Sequence, residues 1–128
     1  MSHLSRIETE ITDLSTLKKA VKRLGGELKE GQKSFTWYRN QMGNCDHAIK
    51  FPEASYEIGV TKVEKKFELT CDYYYVGGLP KYIGETGGLL SQAYGIEAAK
   101  KAALLQGHTV TEKTLSNGKV QLKIAVNE

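Results

Sequence analysis

Hydrophobic spacing changes period once within the first twenty-six residues. Ser5, Ile7, Thr9 and Ile11 alternate on one face of an extended segment, and Leu14, Leu17, Val21 and Leu24 then follow helical spacing. A switch from period 2 to about 3.6 predicts a strand feeding an amphipathic helix. Thr12 or Asp13 can cap the free N–H groups at the helix start, and Gly25-Gly26 ends it. Lys18, Lys19, Lys22 and Arg23 lie along its outer face. Cations in the last turns suit the negative end of the helix dipole, so this basic face has a structural reason to exist.

Short strands are predicted next at Ser34 to Tyr38, His47 to Phe51 and Tyr56 to Val63, with Pro52 stopping the second. The strongest strand signal is Phe67 to Tyr75, where Phe67, Leu69, Cys71, Tyr73 and Tyr75 share one face. Glu68, Thr70, Asp72 and Tyr74 fall on the other, which is expected to be at least half wet. The Gly-rich stretch from Val76 to Gly88 reads as a flexible connector. A second helix is expected from about Thr86 to Gln106, striped by Leu89, Leu90, Ala93, Tyr94, Ala98, Ala102 and Leu105. The last elements form a hairpin around Asn117-Gly118, a pair that favours a tight type I′ turn.

This order predicts an α+β fold: an antiparallel sheet with two helices on one face, ferredoxin-like with extra central strands. At 128 residues the chain fits one domain, 1–128, able to bury its own core. Its apolar fraction of 40% and charged fraction of 26% are those of a globular domain, and a net charge of +3 does not by itself argue for nucleic acid. No apolar run approaches the roughly 20 residues that span a bilayer, and the N-terminus does not resemble a signal peptide. The expected location is cytoplasmic, where Cys45 and Cys71 stay reduced.

Three spaced blocks carry a family resemblance. They are Met1-Ser2-His3 through Ile7 with Asp13-Leu14 and Leu17-Lys18-Lys19…Leu24-Gly25; Phe67-Glu68-Leu69-Thr70-Cys71-Asp72; and Leu90-Ser91-Gln92-Ala93-Tyr94 followed by Gln106-Gly107 and a closing hairpin. Together they resemble domain-of-unknown-function family twelve-fifty-seven, which includes a conserved reading frame of algal plastids and cyanobacteria. The chain departs from the family pattern after Asp72, where Tyr73-Tyr74-Tyr75 replaces tryptophan-rich sequence. The resemblance implies no assigned activity. It implies a neighbourhood of AAA+ ATPase genes, and hence a larger machine as partner.

Candidate chemistry is sparse. Cys45-Asp46-His47 is the one local group of metal-ligand types, with His3, Cys71, Asp72 and His108 distant in sequence. No CxxC or HxxxH spacing announces a site, so a polar turn before a strand explains the group more simply, and no metal or other cofactor is expected. A thiolate nucleophile needs a neighbouring His or helix N-terminus; desolvation opposes ionisation of Cys71 on an apolar strand face, while Cys45 is expected to be better exposed and lies two residues from His47, a spacing that does not make the two side chains face each other. The loop from Val76 to Gly88 lacks the Lys-Ser/Thr pair of a P-loop. Tyr82 and Ile83 are expected to be exposed within it, and with Asp72 and Tyr74 on the wet strand face they form the candidate binding surface.

These residues favour an accessory or protein-interaction domain without a legible catalytic apparatus. A second reading is a nucleic-acid module that stacks bases on Tyr74 and contacts phosphates through Lys18, Lys19, Lys22 and Arg23. A third is a metal- or thiol-dependent enzyme using His3, Cys45 and His47.

Overall fold

The computed structural model describes residues 3–126. Strand β1 (Ser5–Ile11) runs into helix α1 (Leu14–Arg23), as the change of period requires. Asp13 caps α1, its carboxylate accepting the N–H groups of Ser15 at 2.9 Å and Thr16 at 3.2 Å. Lys101 donates a hydrogen bond to the same carboxylate. That bond, then the one from the Ser15 hydroxyl, hold the Asp13 carboxyl well below the usual carboxylate range. The cap therefore also ties α1 to the second long helix.

Beyond α1 lie β2 (Glu27–Glu30), β3 (Ser34–Trp37), β4 (Gln41–Asn44), β5 (His47–Lys50), β6 (Ile58–Val63) and β7 (Lys66–Cys71). Four of these strands join β1 in one antiparallel sheet in the order β1-β7-β6-β5-β2. Consecutive pairs are all antiparallel, so β1 and β2 run in the same direction at opposite edges. Helix α1 is the crossover that joins them over three intervening strands. In β1 the register slips between Ile7, opposite Leu69, and Ile11, opposite Phe67. Both isoleucines lie on the inner face, where they are 2% and 0% exposed.

Helix α2 (Leu79–Ile83) and helix α3 (Gly88–Leu105) follow β7. Leu17, Ala20 and Val21 of α1 and Leu90, Ala93 and Tyr94 of α3 bury against Ile7, Ile49, Val60 and Leu69 of the sheet in one continuous core. Thr9 of β1 hydrogen-bonds to Ser91 of α3, and the backbone N–H groups of Thr12 and Asp13 donate to the Tyr94 hydroxyl. These polar links satisfy groups that the helix–sheet contact would otherwise strip of water.

The β3–β4 hairpin lies over the opposite face of the sheet. Phe35 of β3 is 3% exposed and clusters with Cys45 and Ala48, with Leu4 and Trp37 packed beside them. The ring lies so close that a Cβ on Gly59 would fall 2.4 Å from it, and one on Gly43 2.5 Å away. Glycine at these two positions is what lets an aromatic ring lie flat on the backbone.

The last two strands, β8 (Thr109–Thr114) and β9 (Val120–Ala125), depart from expectation. A ferredoxin-like plan would return them to the main sheet. They pair only with each other, as a ribbon lying against α3. Ion pairs hold the ribbon there. Arg23 bridges to both Glu97 of α3 and Glu112 of β8, and Lys100 also reaches Glu112 at 3.5 Å.

Candidate functional site

The loop from Val76 to Gly88 is not the flexible connector that its glycines suggest. Residues Tyr75–Gly77 form a 3-10 turn and Leu79–Ile83 form α2, with Leu79 and Ile83 each 0% exposed. Ile83 therefore belongs to the core and not to a binding surface. Pro80 near the start of α2 and apolar residues at 79 and 83, one helical turn apart, are the signals that outweigh the glycines. Tyr82 is half-buried, its ring stacked on Phe51 at 4.6 Å and its hydroxyl accepting the Glu53 N–H. It too is spent on packing.

Asp72 is also displaced from its expected role. The strand ends at Cys71, and Asp72 is 2% exposed instead of lying on a wet face. One carboxylate oxygen accepts the Tyr74 N–H at 2.9 Å, an Asx turn that redirects the chain out of the sheet. The other oxygen has no hydrogen-bond partner among the described residues. Asp72 thus shapes the tyrosine segment from beneath.

Because the chain turns there, the tyrosines do not alternate as they would in a longer strand. Tyr73 stays half-buried on the core, where burial pushes its phenol up to about 12. Tyr74 packs edge-on against both Tyr38, at 5.9 Å, and Tyr75, at 5.2 Å. Tyr75 is 77% exposed and Val76 beside it 58% exposed. Tyr38 and Arg39 occupy the tip of the β3–β4 hairpin, where the Arg39 guanidinium stands 5.1 Å from the Tyr38 ring centroid. Arg39 and Asn40 both adopt left-handed backbone, at φ 55° and 60°. That conformation costs non-glycine residues energy and swings the hairpin tip toward Tyr74.

The result is a cleft of about 260 Å³ between the hairpin tip and the Tyr74–Val76 turn, with Trp37, Tyr56 and Asn40 also on its walls. Its roots are fixed. Glu57 accepts the Thr36 N–H at 2.9 Å and donates its own N–H to the Thr36 carbonyl at 2.8 Å. The Gly77 carbonyl accepts the N–H groups of Ser55 and Tyr56. Sequence reasoning found Tyr74 and missed Tyr75, Tyr38 and Arg39. The available signal was the aromatic run Phe35-x-Trp37-Tyr38-Arg39, read only as a strand.

The remaining candidates are not assembled. Lys18, Lys19, Lys22 and Arg23 lie on α1, on the helix side of the sheet, whereas Tyr74 meets the hairpin that covers the other face. Cys45 packs with Phe35 and Ala48 and donates its thiol to the Gln32 carbonyl. His47 accepts the Gly31 N–H at its Nδ1 and lies near the Phe67 ring. Cys45 and His47 thus engage separate neighbours. His3 is exposed. Among the described residues no three His, Cys, Asp or Glu side chains converge on a common point.

Both thiols are free and buried. Burial pushes Cys71 up to about 12 and Cys45 upward as well. Relative to an ordinary thiol, Cys71 then holds on the order of a thousandfold less thiolate at neutral pH. Iodoacetamide at pH 8 is expected to leave both cysteines unmodified in the folded protein and to alkylate both in 8 M urea. Rapid alkylation of the native protein would contradict this placement.

The fold and cleft define a small α+β domain with an aromatic surface notch. A family model described as "Protein of unknown function (DUF1257)" matches residues 20–123, and the chain belongs to that family. No curated protein and no solved structure matches it. Among the described residues no helix is long and apolar enough to cross a membrane.

Proposed function

We propose that this chain is a cytoplasmic protein-interaction domain that serves a larger machine, such as an AAA+ ATPase, through the tyrosine cleft. The carrying observation is Tyr75, a large aromatic side chain 77% exposed on a turn whose backbone is pinned on both sides. A turn whose backbone is already fixed loses little further entropy when a partner covers it. Tyr38, Tyr74, Arg39 and Trp37, which line the adjoining cleft, are the residue types that dominate interface energetics. At about 260 Å³ the cleft is smaller than the roughly 300–1,000 Å³ of small-molecule pockets, which favours a protruding side chain of a protein partner. Buried, free thiols suit a reducing compartment.

Native affinity purification tests this. One defined protein should co-purify in fixed stoichiometry, and Tyr75→Ala and Arg39→Ala should each weaken its retention at least about tenfold, the cost of one interface anchor. Tyr75 is exposed and Arg39 sits at a hairpin tip, so both variants should fold. Undiminished retention by the double variant would remove this surface.

A further inference from the structure

The fold sorts charge in a way that the net value of +3 conceals. Helices α1 and α3 and the β8–β9 ribbon together carry nine lysines and arginines against two carboxylates, Glu97 and Glu112. Both carboxylates are consumed inside the layer by Arg23 and Lys100. Asp13 at the α1 cap is likewise held by Lys101 of α3, and the layer still keeps a surplus of positive charge.

The ribbon makes the asymmetry directional. Register pairs Val110 with Ile124, Glu112 with Leu122 and Thr114 with Val120 on its inner face. Thr109, Thr111, Lys113, Gln121 and Lys123 alternate onto the outer face, all exposed, and Lys119 extends from the turn. The Arg23–Glu112 bridge fixes which face turns inward and links the ribbon to the C-terminal end of α1, whose Lys19 and Lys22 are also exposed. Lys19, Lys22, Lys113, Lys119 and Lys123 have no ion pair among the described residues.

We infer that this layer binds the phosphate backbone of double-stranded nucleic acid, independently of base sequence. Ammonium, hydroxyl and amide donors alternate along the ribbon, the chemistry that contacts phosphate oxygens. A two-stranded ribbon also has the width that a duplex groove admits. Neither α1 nor the ribbon contains an aromatic residue, so the stacking platform that single strands require is missing here. The outer ribbon face also lacks the apolar anchors of a protein interface. This surface is separate from the tyrosine cleft, and either can stand without the other.

The test is fluorescence anisotropy with a labelled 24-base-pair duplex of arbitrary sequence, titrated with the full chain between 50 and 200 mM salt. Five phosphate contacts predict a log–log salt slope near −4.5, roughly a 500-fold loss of affinity across that range. Lys113→Gln/Lys119→Gln/Lys123→Gln should flatten the slope by about three units. These side chains are exposed, so the variant should keep the wild-type melting profile. Lys62→Gln/Lys65→Gln/Lys66→Gln, on the β6–β7 hairpin, should change nothing. Exposed Leu104 and Leu105 beside Lys100 and Lys101 make anionic phosphatidylglycerol vesicles the necessary competitor, with polyglutamate as a second. Absence of duplex binding at 50 mM salt would overturn the inference. So would an unchanged slope in the ribbon variant, or tighter binding to vesicles or polyglutamate than to duplex.

Discussion

Leu69→Ala is expected to destabilise the protein by about 2–5 kcal/mol. Leu69 is 0% exposed in β7, paired with Ile7 on one side and Val60 on the other, and the helices cover all three. Removing its isobutyl group leaves a void that main-chain pairing on both sides prevents from collapsing. Domains of this size are stable by about 5–15 kcal/mol, so the loss is on the order of a third of the total. Urea denaturation should show a lowered midpoint with an unchanged slope. A loss below about 1 kcal/mol would mean that the sheet and helices do not meet over Leu69 as described.

Gly77→Ala is expected to destabilise by about 1–3 kcal/mol, although it adds a single methyl group. That methyl would sit 2.0 Å from Cδ2 and 2.3 Å from Cγ of Tyr56. Tyr56 is 6% exposed, and its own N–H is bonded to the Gly77 carbonyl, so neither ring nor turn can retreat separately. Tyr56 also walls the tyrosine cleft, which makes the substitution a probe of partner binding as well as of stability. Gly95→Ala supplies the matched comparison. Gly95 lies within α3 with nothing near the added carbon, and the exchange should stabilise by about 0.5–1 kcal/mol. Equal effects at the two positions, read by thermal melts, would refute the close approach at Gly77.

Periodic segments were legible in sequence, and the reasons are physical. Ile7 and Ile11 of β1, the Leu17/Val21 face of α1 and the Asp13 cap fall where spacing places them. Helix α3 and the last hairpin also form, but Leu89, Ala102 and Leu105 of the expected α3 stripe are exposed while Ile96 and Ala103 are buried, and Asn117 does not take the positive φ of a type I′ turn. Strand β2, Glu-Leu-Lys-Glu, was illegible because only Leu28 faces the core and one apolar residue has no period. Strand β4 was missed for a similar reason, since Gly43 is there to accept the Phe35 ring and offers no side chain of its own. The expected tyrosine alternation failed at Asp72, because a buried carboxylate that accepts the Tyr74 N–H ends the strand without any hydrophobic signal. The expected surface residues are accordingly dispersed. Tyr74 lies on it, whereas Ile83 and Tyr82 are consumed by packing.

The placement of β1 and β2 at opposite edges of the sheet has a consequence for synthesis. β1 emerges from the ribosome first, yet its hydrogen-bonding partner β7 ends at Cys71. Helix α1 can coil as soon as it is made, but the strand before it must wait through some sixty further residues with its main-chain donors and acceptors open. At about 5–20 residues per second the interval lasts several seconds. For that time the nascent chain is a helix trailing an unmated strand, and its vulnerability to intermolecular pairing is greatest before the ribbon and cleft exist.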